Sequence, residues 1–338
     1  MNSDRRTGHS LKPELWDQFF KGSRLACARL ITLVENFPEL VPEIRDKLFS
    51  HRRSAIRIGV TGPPGVGKST VTAALARRAL KKGHSVGVIA VDPSSPFTGG
   101  AFLGDRVRMQ SLIGDPHIFI RSLASRDGHG GLSPSTPYAA DIFDAFGMDR
   151  IYIETVGVGQ AELDVLTCAD LVILVLQPGT GDVIQALKAG IIEAADMFLI
   201  NKSDLPGTES LLDSLRFIFE ISARQKTIPR PPILAASALH NKGLDEASAE
   251  MERLIHGLIQ SGRFQKKKRL RLEGEIKASI LQNLWEQFST LTNAPEEIQA
   301  AADDLLKSGQ SPYPFIRKIS SRIKMETVNE KTCCENRR

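Results

Sequence analysis

Apolar residues recur along this chain at two different periods, and the change from one to the other marks its organisation. Between residues 13 and 50 they fall at helical spacing: Leu15, Trp16, Phe19 and Phe20, then Leu30, Ile31, Leu33 and Val34, then Ile44 and Leu48 after Pro42. Pro13 suits a first helical turn, where its missing N–H is not needed. From Arg53 the pattern alternates through Ile56-Arg57-Ile58-Gly59-Val60 and passes a glycine-rich turn. It becomes helical again at Val71, Ala74, Leu75 and Ala79, with Gly83 as a stop. Further short apolar runs follow at 86–91, 118–120, 151–153, 171–176, 197–200 and 233–236, most of them separated by helical stretches. Strands alternating with helices predict an α/β fold, a mostly parallel sheet covered by helices on both faces.

After about Gly262 the pattern is helical and charged, through Trp285 to roughly Ile323. The predicted division is therefore an N-terminal helical extension over 1–50, an α/β domain over 51–262, a C-terminal helical arm over 263–325 suited to dimerisation, and a tail over 326–338 without regular structure. Hydrophobic residues make up 41% and charged residues 25%, an ordinary globular composition. No window holds the roughly 18 uninterrupted apolar residues of a membrane span. The start, Met1-Asn2-Ser3-Asp4-Arg5-Arg6, leads into polar residues and not an apolar signal core, so the cytoplasm is the expected compartment and no membrane partner is expected. Four cysteines in 338 residues do not make a disulfide framework. The formal charge of +5 is concentrated in Lys266-Lys267-Lys268-Arg269-Leu270-Arg271. Such a run reads as a solvated helix face, and no nucleic-acid partner is expected.

Chemistry enters at the first strand-to-helix junction. Gly62-Pro63-Pro64-Gly65-Val66-Gly67-Lys68-Ser69, followed by Thr70, fits the phosphate-loop pattern G-x-x-x-x-G-K-[ST] in its required context. The glycines let backbone N–H groups close around phosphate oxygens at the positive end of a helix. Lys68 is the candidate catalytic cation for the outer phosphates, and the Ser69 hydroxyl is a candidate Mg²⁺ ligand.

The base is read from a second motif. Asn201-Lys202-Ser203-Asp204 follows the run 197–200 and has the N-K-x-D form of a guanine site. The Asp204 carboxylate can accept from both N1–H and the exocyclic amine of guanine, a pair that adenine lacks. Lys202 would cover the base, and Asn201 would tie this loop to the phosphate loop. Ser237-Ala238-Leu239 follows the last run and is placed to offer a backbone N–H to guanine O6. Asp92, Asp105 and Glu154 lie at or after strand ends, where ligands sit in open α/β sheets, and their hard oxygens suit Mg²⁺.

With these residues assembled, the chain resembles the methylmalonyl-CoA mutase-associated GTPases of the MeaB/ArgK type, which are SIMIBI-class G proteins. The resemblance rests on Val91-Asp92-Pro93-Ser94-Ser95, Leu103-Gly104-Asp105-Arg106, Glu154-Thr155-Val156-Gly157-Val158-Gly159-Gln160, the segment 177–188 and the guanine motif. It spans about residues 20–262. It implies a P-loop NTPase fold, GTP hydrolysis with Mg²⁺, and a homodimer. It also implies a chaperone role toward an adenosylcobalamin-dependent acyl-CoA mutase, gating cofactor loading and protecting the mutase. Asp92, Asp105 and Glu154 would support Mg²⁺. Gly157, Gln177, Asp182, Gln185 and Lys188 would belong to a switch, with Lys188 entering the nucleotide's charge network. No Asp-x-His-x-x-Gly occurs, so cobalamin should sit on the partner alone.

Two alternatives stay open at this point. Metal-inserting SIMIBI GTPases carry His-rich runs or clustered cysteines; here seven histidines are scattered, and Cys333-Cys334 lacks further ligands. A GTP-binding regulatory module with negligible turnover would share every motif above.

Overall fold

The computed structural model describes residues 11–93, 109, 112, 114–125, 132–155, 161–179, 191–223, 230–291 and 294–320. The chain forms two compact units, one reaching Lys267 and the other beginning at Lys268.

The first unit opens with α1 (Pro13–Phe20), α2 (Arg24–Asn36) and α3 (Val41–Phe49). Ser23 caps α2, its hydroxyl accepting from Ala26 N–H at 3.3 Å. Then come β1 (Ile56–Thr61), α4 (Lys68–Lys81), β2 (Val86–Pro93), β3 (Ile118–Ser125), α5 (Thr136–Phe146) and β4 (Arg150–Glu154). They are followed by α6 (Ala161–Cys168), β5 (Leu171–Leu176), β6 (Met197–Ile200), α7 (Thr208–Ala223), β7 (Ile233–Ala235) and α8 (Leu244–Gln260).

The strands form one sheet in the order β3-β2-β4-β1-β5-β6-β7, with every neighbouring pair parallel, as expected. The winding reverses at β1: β2 to β4 lie on one side of it and β5 to β7 on the other. A crevice beyond the carboxyl end of β1 follows from that reversal. Alternating residues feed two cores. Ile89, Val91, Ile151 and Ile153 pack with α1, α2, α3, α5 and α6. Ile58, Val60, Val86, Val88 and Tyr152 pack with α4 and α8 on the opposite face. A third cluster joins Leu174, Leu176, Phe198 and Ile200 to Leu212 and Leu215 of α7.

Polar groups fix the N-terminal helices to this frame. Asp141 of α5 accepts from Arg57 Nη2 at 2.6 Å, Arg52 Nη2 at 2.6 Å and Arg45 Nε at 3.1 Å. Burial alone would raise this carboxyl; Arg57, then Arg52 and Arg45, outweigh it and hold it below its ordinary value. On the far edge, Arg121 of β3 bonds Glu35 at 2.7 Å and Thr32 at 3.1 Å, both on α2. β3 runs to Ser125 and not only to Ile120, because it stays paired with β2 as far as Pro93. In its second half Arg121 meets an ion-pair partner instead of water, and Leu123 is buried.

The helix α9 (Arg263–Leu291) begins in the first unit, where Phe264 joins the α4–α8 core. Lys267 donates to Asp170 O at 2.6 Å and lies 3.4 Å from Asp196 Oδ2, so a lysine of the basic run is fixed within the first unit. In the second unit, α10 (Ala294–Ser308) and a helical stretch over 313–320 follow. Phe288, Ile319 and Phe315 form a small cluster there. Ile276, Ile280, Leu281, Leu284 and Trp285 of α9 are exposed, each by about half or more. The tail expected over 326–338 lies outside the described residues.

Candidate functional site

The phosphate loop closes where β1 meets α4. Gly67 takes φ +89°, and a Cβ there would come 2.5 Å from Asn201 Nδ2, so the position excludes side chains twice over. Lys68 is buried and donates to Gly62 O at 2.8 Å and Pro63 O at 2.9 Å. Its ammonium is thus held at the mouth of the turn by the loop's own carbonyls. Val66 is buried in the core, whereas Pro64, Gly65 and Thr70 are exposed.

The acids arrive from neighbouring strands. Glu154 ends β4 in register with Val60 of β1 and Ala90 of β2. Asp92 stands two residues beyond Ala90, so alternation aims both carboxylates to the α4 face. Both are buried, at 3% and 6% exposure. Ser69 Oγ donates to Glu154 Oε1 at 2.6 Å. A hydroxyl and two buried carboxylates beside the phosphate loop are hard oxygen donors, and they fit Mg²⁺. Among the described residues no three His, Cys, Asp or Glu side chains cluster as a metal cage. Asp105 lies outside the described residues.

The second motif is built around Asn201, which is 3% exposed. Its Nδ2 donates to Val66 O at 2.8 Å, and its Oδ1 accepts from Ala238 N–H at 3.0 Å. One side chain therefore bridges the phosphate loop and the turn after β7. Lys202, at φ +58°, donates to Gly65 O at 2.8 Å, which lays its stem along the loop. Asp204 accepts from Ser237 Oγ, and its second oxygen lies 3.9 Å from His240 Nε2. The Ser237 hydroxyl, then a backbone N–H, His240 and Lys242 hold the Asp204 carboxyl below its ordinary value. Ser237 and Lys242 exchange backbone hydrogen bonds of 3.0 and 3.1 Å, closing the turn that carries Ala238 and Leu239. Leu239 is 83% exposed at its tip.

Gln177 follows β5 and is half-buried. Gly157, Asp182, Gln185 and Lys188 lie outside the described residues. One pair escaped the sequence reading. Thr155 Oγ1 donates to Thr61 Oγ1 at 3.0 Å, and Thr155 N–H donates to Val60 O at 3.1 Å. Both threonines are buried, tying the root of the phosphate loop to the residue after Glu154. The available signal was a threonine closing each of two apolar strands.

Comparison with known proteins extends this picture. A family model described as methylmalonyl Co-A mutase-associated GTPase MeaB matches residues 27–293. A protein of Pyrococcus abyssi that carries a GTPase name is 46% identical over 269 residues, which is 79% of this chain and 83% of the relative. The GTPase ArgK of Escherichia coli is 36% identical over 253 residues, 72% of this chain and 76% of the relative. Among solved structures, a LAO/AO transport system kinase superposes with a TM-score of 0.67 at 25% identity, covering 92% of this chain and 97% of that one.

Proposed function

Because the chain belongs to the methylmalonyl-CoA mutase-associated GTPase family and hydrolyses GTP, we propose that its hydrolysis serves an adenosylcobalamin-dependent acyl-CoA mutase. In this reading the protein is a chaperone that gates cofactor loading and protects the loaded mutase, with cobalamin on the partner alone. The family match over residues 27–293 carries the proposal. No helix among the described residues is long and apolar enough to cross a membrane, and we take the working compartment to be the cytoplasm.

The roles of the site residues follow from what each can reach. Asp204, oriented by Ser237, accepts from guanine N1–H and the 2-amino group, while Lys202 covers one face of the base. Lys68 is already aimed into the loop and would spread the charge that develops on the γ-phosphoryl as water attacks in line. Ser69, Asp92 and Glu154, together with Asp105, would hold Mg²⁺; bound there, the ion polarises the phosphoryl oxygens. The segment from Gln177 to Lys188 is the proposed switch, with Lys188 reaching the nucleotide when the mutase binds.

A homodimer completes the reading. Ile276, Ile280 and Leu284 recur at four-residue steps on α9, with Leu281 and Trp285 beside them, and all five are exposed. That spacing is a helical stripe of the kind another helix covers, and a second copy of this chain is the proposed cover.

The test is phosphate release from GTP by the purified chain, with and without a purified mutase from the same host. Stimulation by the mutase, with retention of cofactor on the mutase only while GTP is supplied, is the expected result. Unchanged turnover and unchanged cofactor retention at saturating mutase would remove the chaperone role and leave the GTPase.

A further inference from the structure

Arg78 lies on α4, the helix that also carries Lys68 and Ser69, but farther along and away from the phosphate loop. Its side chain is only 10% exposed. The guanidinium is used on three sides. Nη1 donates back to Ala74 O at 3.2 Å, Nε donates to Asp245 Oδ1 at 2.7 Å, and Nη2 donates to Asn241 Oδ1 at 3.0 Å. Asp245 sits in the first turn of α8. Asn241 sits inside the turn closed by Ser237 and Lys242, the turn that carries Ala238 and Leu239.

That turn is tightly wound. Asn241 takes φ +55°, a region that few side-chain-bearing residues occupy. Gly243 takes φ +70°, and a Cβ there would come 2.3 Å from Ala235 O. The turn is thus folded hard against the end of β7, and the Asn241 side chain is gripped from outside by Arg78. An ordinary surface ion pair would account for Asp245 alone, whose carboxylate is 84% exposed. It does not account for a buried guanidinium whose second arm ends on a neutral amide oxygen in the turn beside Asn201 and Asp204.

We propose that Arg78 is a positioning residue for base recognition: through Asn241 and Asp245 it holds the Ser237–Lys242 turn in place against the guanine pocket. The proposal rests on reading Asp204 and Ser237 as the guanine site. Asp245 is also held below its ordinary carboxyl range, first by the hydrogen bond from Arg78, as a fork gripping both partners requires. The fork geometry matters here, because one rigid planar group serves two elements at once.

The experiment uses the full chain and two variants, Arg78→Gln and Asn241→Gly. Glycine accepts the positive φ of residue 241 and removes only the amide that Arg78 grips. GDP and ADP affinities are measured by displacement of a fluorescent guanine nucleotide, and kcat and KM by phosphate release from GTP. Each variant is expected to weaken GDP by about tenfold, leave ADP unchanged, raise KM for GTP in step, and keep kcat within about twofold. The double variant is expected to be no weaker than either single one by more than about twofold, because both remove the same grip. Three results would overturn the proposal: GDP affinity untouched in both variants, equal weakening of GDP and ADP, or effects that multiply in the double variant. If the unsubstituted chain binds ADP as tightly as GDP, the guanine reading itself falls, and that failure is visible before any variant is made.

Discussion

Ser69 Oγ and Glu154 Oε1 stand 2.6 Å apart, joining the first turn of α4 to the end of β4 through a buried hydrogen bond. The hydroxyl that should ligate Mg²⁺ is therefore oriented by a carboxylate from a neighbouring strand. Glu154→Gln keeps an oxygen for Ser69 and removes the negative charge. The Mg²⁺ concentration giving half-maximal GTP turnover should rise by about 10–100-fold, the usual effect of losing a supporting group at a metal site. A metal titration with an unchanged midpoint would take Glu154 out of the Mg²⁺ site.

Asp204 is oriented by Ser237 and carries the guanine reading. Asp204→Asn replaces one acceptor by a donor, which suits the O2 of xanthine and opposes the 2-amino group of guanine. GTP affinity should fall by roughly 10²-fold or more while xanthosine triphosphate gains, since unpaired polar groups in a base site are strongly rejected. Competition binding with the two nucleotides reads both directions at once.

Gly67 cannot accept a Cβ without displacing Asn201 Nδ2. Gly67→Ala should strain the turn by about 1–3 kcal/mol and push Asn201 off Val66 and Ala238. GDP affinity should fall by at least about tenfold, close to the 1.4 kcal/mol that a tenfold change represents. Calorimetric titration with GDP is the check, and wild-type affinity would show that the loop has room to spare.

Asp141 predicts a stability effect away from the site. Asp141→Asn leaves Arg57 buried without its charge partner, and breaking such a pair costs about 3–5 kcal/mol. The sign with pH follows from the lowered pKa of Asp141 in the folded chain. Between the folded and unfolded values the unfolded chain binds more protons, so the contribution is complete above about pH 4 and is lost as pH falls through the folded value. Urea unfolding of both proteins across that range should show their stabilities converging in acid. A constant gap would contradict the assignment.

The stripe on α9 makes the dimer testable. Ile280→Glu together with Trp285→Glu places charge on two exposed apolar positions and should leave the first unit folded. Sedimentation should change from dimer to monomer while GDP binding persists. A dimer that survives both changes would have to use another surface.

Much of this architecture was legible because pattern and motif agreed. The shift from helical spacing to alternation at Ile56, followed by glycines and then helical spacing again, marked β1, the turn and α4 to within a residue or two. The second half of β3 was hidden because Arg121 and Ser122 look solvent-facing, whereas Arg121 is paired with Glu35 of α2. Arg57 posed the same difficulty inside β1: it alternates like a surface residue, yet is buried on Asp141. Residue types in the candidate site were readable from the two motifs. The tie from Asn201 to the phosphate loop was readable with them. The bond from Arg78 to Asn241 was not, because its partners stand 163 residues apart and local pattern carries no record of such a pair.

The double hydrogen bond of Asn201 has a consequence for small competitors. Val66 and Ala238 are held by one amide, so the proposed cups for phosphate and for base are a single piece. A fragment such as inorganic phosphate or free guanosine would fill one part of that piece and make half the contacts. An intact nucleotide seated in one part would have its second end delivered to the other at high effective concentration. Affinity for the whole ligand should therefore exceed the product of its fragments' affinities. The site can ignore phosphate and nucleosides at concentrations far above that of GTP, without any group that repels them.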